Sequence, residues 1–543
     1  MSPPRVIYQL ARADFFERIR RFSFAVTLVV TVIAAYIFVP ANHANYTTLD
    51  LGGHRGIYNS AWVGAQVALL ASTFLVVIGF YLVRNAVNRD RTTGVGQIIA
   101  GTPVSKTVYT LGKWVSNCMV LGLIGAAVVA GAAALQWIRG EDMILRPLPL
   151  IAPFVYLLIP TIALISAVAV LFECIPFLSG ALGNILYFFL VPQLMVPEML
   201  GGPKILGVSY LIKDMQAACR LAYPDYVDAM SLGIHFHGGK SLELATFAWN
   251  GMPVSAGFLQ NRVFWFLVAA GVALVAAIPF DRFDTSKSRS RSRRAARAPR
   301  LARLRRWFGR RGDWSIAGAE AALVPGIPAG HVHLTPLAES RSRGRFGGIL
   351  AANLRLALRS MPWWWHLGAL GLIVCEICIP MPGVQAFVLP GALIWPMMIW
   401  SPLGNREIRH ATHQIVFSAA FPLRRQLTAA WLTGAVIALA LVSGAALLWA
   451  LAGDWQRVIA LLVGAAFVPS LALALGTWSR TSRLFEVIYL FWWYLGPLNG
   501  LAGLDYAGTS ASGGAPGITT IYALAAALLL ILGFLGGRRQ LAS

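Results

Sequence analysis

A few short patterns in this sequence have the residue types that chemistry needs. The run Ala100-Gly101-Thr102-Pro103-Val104-Ser105-Lys106-Thr107 ends like a phosphate-cradling loop, with Lys106 and Thr107 in place. Such a loop needs glycine where backbone amides approach the phosphates, and Ala100 and Ser105 occupy those two positions. The chain is therefore not expected to hydrolyse ATP by itself. His235 and His237, and His331 and His333, have a His-x-His spacing, but a closed metal site takes more ligands and neither pair has them nearby. They read as surface histidines, and no metal is expected. Cys375-Glu376-Ile377-Cys378 has a redox or metal spacing inside an apolar segment, where thiols act as small packing residues. A membrane enzyme would need a nucleophile, an acid–base pair or a metal set clustered near one face, and none is visible, so no catalytic residue is assigned.

Three glutamates remain as candidates for a pathway or gate. Glu376 falls within a predicted membrane span, where an ionisable side chain is expensive and by default functional. Glu173 and Glu486 end the matching runs Leu171-Phe172-Glu173 and Leu484-Phe485-Glu486, each expected at the boundary after the fourth span of its group. They could cap helices, pair with Arg480 or Arg483, or respond to movement of nearby loops.

The elements that must position these residues follow from composition. With 57% hydrophobic and 12% charged residues the chain is far too apolar for a soluble protein, which carries about 25% charged residues. Apolar stretches of about 20 residues, each long enough to cross a hydrocarbon core, recur along it. They predict an all-α polytopic membrane protein with about twelve transmembrane helices, at 22–40, 61–83, 114–137, 150–172, 178–197 and 260–280, then 363–381, 385–402, 427–452, 457–477, 484–500 and 518–536. The first is too long for a cleaved signal and reads as a retained span. Basic residues stay on the cytoplasmic side, and their placement near span ends puts both termini there, in a plasma (inner) membrane.

Three regions result: a first transmembrane half, 1–280, with an extracytoplasmic cap at 197–257; a basic cytoplasmic linker, 281–345; and a second half, 346–543. The apolar spacing in SYLIKDMQAACRLAYP predicts a helix within the cap. The linker composition cannot bury enough apolar surface to fold alone, apart from a surface-lying helix around Leu301 to Phe308. Its Arg282 to Arg311 run supplies much of the net charge of +23. Because that run follows a span directly, anionic membrane lipid rather than nucleic acid is the expected partner. Ahead of the first span, Ile7, Ala11, Phe15, Ile19 and Phe22 share one helical face, as an interfacial helix requires, while the loose segregation of its charges equally fits a cytoplasmic extension of that span.

The loops after the second span of each half repeat one another. Arg89, Asp90, Gln97, Ile98 and Trp114 correspond to Arg406, Glu407, Gln414, Ile415 and Trp431 at one constant offset, with Pro103 and Pro422 out of step. Two pseudo-repeated six-helix halves with a pathway between them follow from such a parallel repeat. With Arg89-Asp90-Arg91, Gln97-Ile98-Ile99 and Thr102-Pro103-Val104-Ser105 in one loop, and Arg406-Glu407, Gln414-Ile415-Val416 and Phe421-Pro422-Leu423 in the other, the sequence resembles the type-2 ABC transporter permeases. The second half lacks the threonine of that pattern.

The resemblance implies a permease subunit of an ATP-driven exporter whose loops form coupling helices seated in separate ABC ATP-binding subunits, two copies, which bind the ATP and Mg. No cofactor is then expected in this chain. A short helix that transmits force needs an apolar face to dock and charged ends to fix its register. An ion-gradient-driven secondary transporter is the alternative; it should place several acidic residues deep in the membrane, and only Glu376 qualifies clearly. The cargo is not legible.

Overall fold

A computed structural model describes residues 2–41, 46–236, 244–283, 346–410, 412–418, 421–501, 503–509 and 515–542. Most of the basic linker, its expected surface helix, and His237, His331 and His333 lie outside the described residues. Among the described residues the protein is mostly helical, and eight helices are long and apolar enough to cross a membrane. The count rises to ten if each of two bent pairs is one span: Pro3–Ile19 with Phe24–Phe38, and Leu423–Leu441 with Ser443–Leu451. It is a multi-pass membrane protein by helix length and hydropathy.

The expectation of twelve spans meets a physical limit in two places. The 363–381 segment forms Trp363–Cys378, which stops ahead of Pro380, and Pro380 starts the next helical run. The 484–500 segment forms Arg483–Trp493, which continues only as a five-residue π-helix, Tyr494–Leu498, containing Pro497. The all-α expectation is corrected as well. Strand Tyr46–Asp50 pairs antiparallel with Ser231–Phe236, and His54–Gly56 pairs parallel with Ala245–Phe247.

Local sequence explains where the long helices begin. Asn59, Ser105, Ser255 and Asp454 each accept a hydrogen bond from the backbone N–H three residues on, which starts Ser60–Phe74, Lys106–Arg139, Ala256–Val275 and Trp455–Ser479. The second side-chain group of Asn59 donates to the carbonyl of Trp249 at 2.9 Å, so one residue starts a span and ties it to the distal end of the cap.

The most apolar windows of Ser60–Thr92 and Pro147–Cys174 are 72% and 78% buried, against 17% for Pro516–Leu541. The first two helices are central, and the last presents most of its surface to lipid. Gly64 permits the central contact: a Cβ there would lie 2.9 Å from the Cα of Leu150.

The cap holds the expected helix, Val208–Ala222, whose first turn is capped by Glu198 through the N–H groups of Leu206 at 2.7 Å and Ser209 at 2.9 Å. Its base is an ion pair. Arg55 donates to both oxygens of Glu141 at 2.7 and 3.0 Å, and the Tyr58 N–H adds a third bond at 2.9 Å. Partial burial pushes Glu141 up, but the Arg55 and Tyr58 bonds and the Arg55 charge outweigh it, so its carboxyl titrates below its ordinary value of 4.5. A lowered pKa means stability that is present above pH 4.5 and lost as pH falls through the folded value. The thermal midpoint of the purified chain should therefore fall below that pH, and Glu141→Gln should flatten the dependence; identical curves would show that the pair does not hold the cap.

Candidate functional site

The face opposite the cap carries the two repeated loops, and each is built from its root outward. In the first half the short Phe80–Val83 helix ends at Arg84, and Asn85 takes a left-handed φ of 94°, which asparagine tolerates better than most residues. This reversal starts a new helix, Ala86–Thr92, whose first N–H groups have no partner within the helix. Glu173, in the last turn of Pro147–Cys174, supplies one. Its carboxylate accepts from the N–H of Asn85, and from those of Ala86 at 3.1 Å, Val87 at 2.6 Å and Asn88 at 3.2 Å. The negative charge also faces the positive end of the helix.

Arg89 and Asp90 are buried, and their charges are used inside the chain. Arg89 pairs with Asp14 and with Glu17 at 3.0 Å, both on Pro3–Ile19. Asp90 accepts from the Tyr109 hydroxyl at 2.7 Å and pairs with Lys113 at 2.7 Å. Lys113 also reaches Asp14 at 2.8 Å, beside Arg18 at 2.7 Å and the Ser116 hydroxyl at 2.6 Å. What these residues orient is the loop itself, against two helices of its own half.

Beyond this root Gly94, at φ 79°, turns the chain into the short helix Val95–Ala100. Gln97 and Ile98 are exposed on it, Ile98 at 72%. The Thr102 hydroxyl donates to the carbonyl of Ile99 at 2.7 Å and closes the helix; the exposed Pro103 follows. Exposed Arg91 pairs with Asp281 at 3.1 Å, while the ring of Phe280 stacks on Tyr109 at 4.8 Å. The end of the sixth predicted span thus braces the loop.

The second loop repeats these contacts with different chemistry. Arg406 donates to the side-chain oxygen of Asn353 at 2.5 Å, on the Phe346–Arg359 helix that precedes its half as Pro3–Ile19 precedes the first. Glu407 accepts from Gln426 at 3.3 Å, and Gln426 stands at the same offset from Tyr109 as Arg406 from Arg89. The short helix His413–Phe417 carries exposed Gln414 and Ile415, Ile415 at 77%, and Pro422 opens the π-helical stretch Leu423–Leu427. Trp114 and Trp431 also match: each indole N–H donates at 2.9 Å to the helix of the fourth predicted span, at Ala163 and Ser470.

Glu173 and Glu486 do not match in this way. Glu173 lies in the last turn of one helix and Glu486 in the first turn of Arg483–Trp493, so the shared Leu-Phe-Glu run stands at two different places in the fold. Glu486 accepts from Ser401 of its own half and from Asn184 of the other. Beside it Arg483 donates to the carbonyl of Arg84 at 2.6 Å, a second bond across the two halves. Glu376 lies elsewhere. Fully buried, it accepts from the N–H of Ala445 at 3.1 Å, at the break that bends Leu423–Leu441 against Ser443–Leu451 by 60°.

Between the loop roots lies a cavity of about 1470 Å³, lined from both halves. Among the described residues no group of three or more His, Cys, Asp and Glu is placed to hold a metal ion. Sequence reasoning missed Asp14, Tyr109 and Asn353 as parts of the site. The available signal was the amide of Asn353 among the apolar residues of Phe346–Arg359, and the carboxylate of Asp14 one turn from Arg18 on the face that carries Ala11.

Removing Asp14 leaves three buried cations without their common counter-charge, a loss of about 3–5 kcal/mol, whereas Asn353→Ala removes one hydrogen-bond partner of a half-buried arginine, about 1 kcal/mol. The thermal midpoint of Asp14→Ala should accordingly fall well below that of Asn353→Ala; equal midpoints would mean that the first network is not the stronger root. Family models, curated proteins and solved structures yield no match to this chain, so the case for its function is made by its own residues.

Proposed function

We propose that this chain is the membrane-spanning permease of an ATP-driven exporter of the ABC type, working with two copies of a separate ATP-binding subunit. On this reading each bent pair serves as one span, and Trp363–Cys378 and Arg483–Trp493 with its π-helical extension serve as two more, which makes twelve spans in two six-helix halves. Both termini and both loops then lie on the cytoplasmic side of the plasma membrane, where basic residues are retained.

The observation that carries this reading is the pair Ile98 and Ile415. At one constant offset, each stands exposed on a short helix, and each helix is rooted in its own half by corresponding buried contacts. Topology requires no such matched apolar side chains. Burying an isoleucine fully against a partner contributes about 1.5–3 kcal/mol, enough for two of them to anchor a docking helix each. A loop whose root is held by ion pairs and hydrogen bonds to its bundle can pass a displacement of its tip to the spans.

Tagged full-length chain recovered from its native membrane should bring with it a protein bearing a complete phosphate-binding loop. The double variant Ile98→Asp, Ile415→Asp should lose that protein about tenfold or more, with an unchanged thermal midpoint, because both side chains are solvent-facing in the isolated chain. Recovery of no ATP-binding protein by the unaltered chain, or equal recovery by the variant, would sink the reading.

A further inference from the structure

We propose that the cavity between the two halves is a binding site for an anionic amphiphile, a molecule with a phosphate- or carboxylate-type headgroup and an apolar tail. The proposal rests on the exporter reading only in naming this ligand as cargo; the site itself stands on its lining.

At about 1470 Å³ the cavity exceeds the 300–1,000 Å³ of an ordinary small-molecule site, so it has room for a headgroup and part of a tail. Its lining is sharply biased. Eight arginines line it against two glutamates, with no lysine or aspartate. The acids are already engaged: Glu486 by Asn184 and Ser401, and Glu407 by Arg406 and Gln426. Asp14 and Glu17, behind the wall, offset Arg18, Arg89 and Arg21, and Glu173 is occupied by backbone N–H groups. Arginines still outnumber the acids.

Arg84 is the sharpest feature. It is 6% exposed, its Nη2 donates to the carbonyl of Gly180 at 2.8 Å, and its Nη1 has no hydrogen-bond partner. A buried guanidinium with an unused donor is costly, and an oxyanion is the partner whose geometry matches it. Asn184 from the first half and Asn405 from the second also line the cavity, and their unpartnered Oδ1 atoms are acceptors, which suit a headgroup that also carries hydroxyls.

The apolar part of the lining lies deeper. On the continuous Lys106–Arg139 helix, Val120 and Ile124 stand about 10–16 Å further along the axis than Lys113 at the loop root. Phe24 and Thr27 similarly lie inward of Arg21, and Met398 and Ile399 inward of Arg406. Charge at the mouth and apolar surface toward the membrane interior is the order in which an anionic lipid-like molecule presents its own two ends.

The full chain, purified without any ATP-binding subunit, would be placed in phosphatidylcholine nanodiscs with photoactivatable phosphatidylglycerol or photoactivatable phosphatidylcholine. Labelling by the first should exceed that by the second at least fivefold, and should map to the stretches around Val120–Ile124 and Met398–Ile399. Arg84→Gln with Arg483→Gln should reduce it to the phosphatidylcholine level. Because Arg84 also holds backbone carbonyls, the exposed Arg409→Glu is the control that folds, and it should lower labelling about threefold. Unlabelled phosphatidylglycerol should compete, and glycerol phosphate at millimolar concentration should not. Equal labelling by both probes, labelling confined to other stretches, an Arg409→Glu protein that folds and labels normally, or displacement by glycerol phosphate would each overturn the proposal. Since no ATP-binding subunit is present, loss of this labelling and loss of co-purification report separate failures.

Discussion

Three cations, Arg18, Arg89 and Lys113, converge on the carboxylate of Asp14 inside the protein, and the arrangement of the loop-bearing face depends on that convergence. A buried charge without a partner costs several kcal/mol, and Asp14 is the one group all three cations share, although Lys113 also has Asp90 and Arg89 also has Glu17. They come from three elements: the helix ahead of the first span, the root of the loop, and the start of the Lys106–Arg139 helix. The loop is thereby fastened to the bundle at its root while its tip stays exposed. A partner that moves the tip must move the root, and with it two helices.

A second constraint recurs wherever a helix starts again inside the protein. Backbone N–H groups at such a break have no water to turn to, and a carboxylate at the end of a neighbouring helix can take several at once. Glu173 does this for Ala86–Thr92, Glu198 for Val208–Ala222, and Glu376 contributes one such bond to Ser443–Leu451. The second loop lacks this device. Pro402 has no N–H to offer at the position equivalent to Asn85, and Glu486 reaches across to the other half instead. The two loops therefore share a plan but differ in how firmly each is held, the first by an ion network and the second by amide hydrogen bonds.

These two devices leave the loop face with contrasting surfaces. The outward tips present exposed isoleucines, the surface that the proposed ATP-binding partner would cover. The space between the roots presents arginines, which favour an anion. Both surfaces lie within reach of the same pair of loops, so events at one have a short mechanical path to the other.

Hydropathy by itself determined the class of protein and the places of most of its long apolar helices, because apolar length is a local property that the bilayer imposes on contiguous residues; where Pro380 and Pro497 interrupt the helix, apolar length overstated the span. The matched loops were legible for a similar reason: Arg89, Asp90, Gln97, Ile98 and Trp114 recur at fixed spacing. The cap helix was legible through its apolar period, but the strands were not, since Tyr46–Asp50 finds its partner, Ser231–Phe236, far away along the chain and short strands carry little local signal. Only the tertiary structure decided that Arg89 and Asp90 point inward to Asp14, Tyr109 and Lys113, that Glu173 caps a helix, and that Glu486 bridges the halves. Those outcomes depend on which charges meet in three dimensions. The energy of a buried ion pair lies in the meeting of its partners and not in the chain between them.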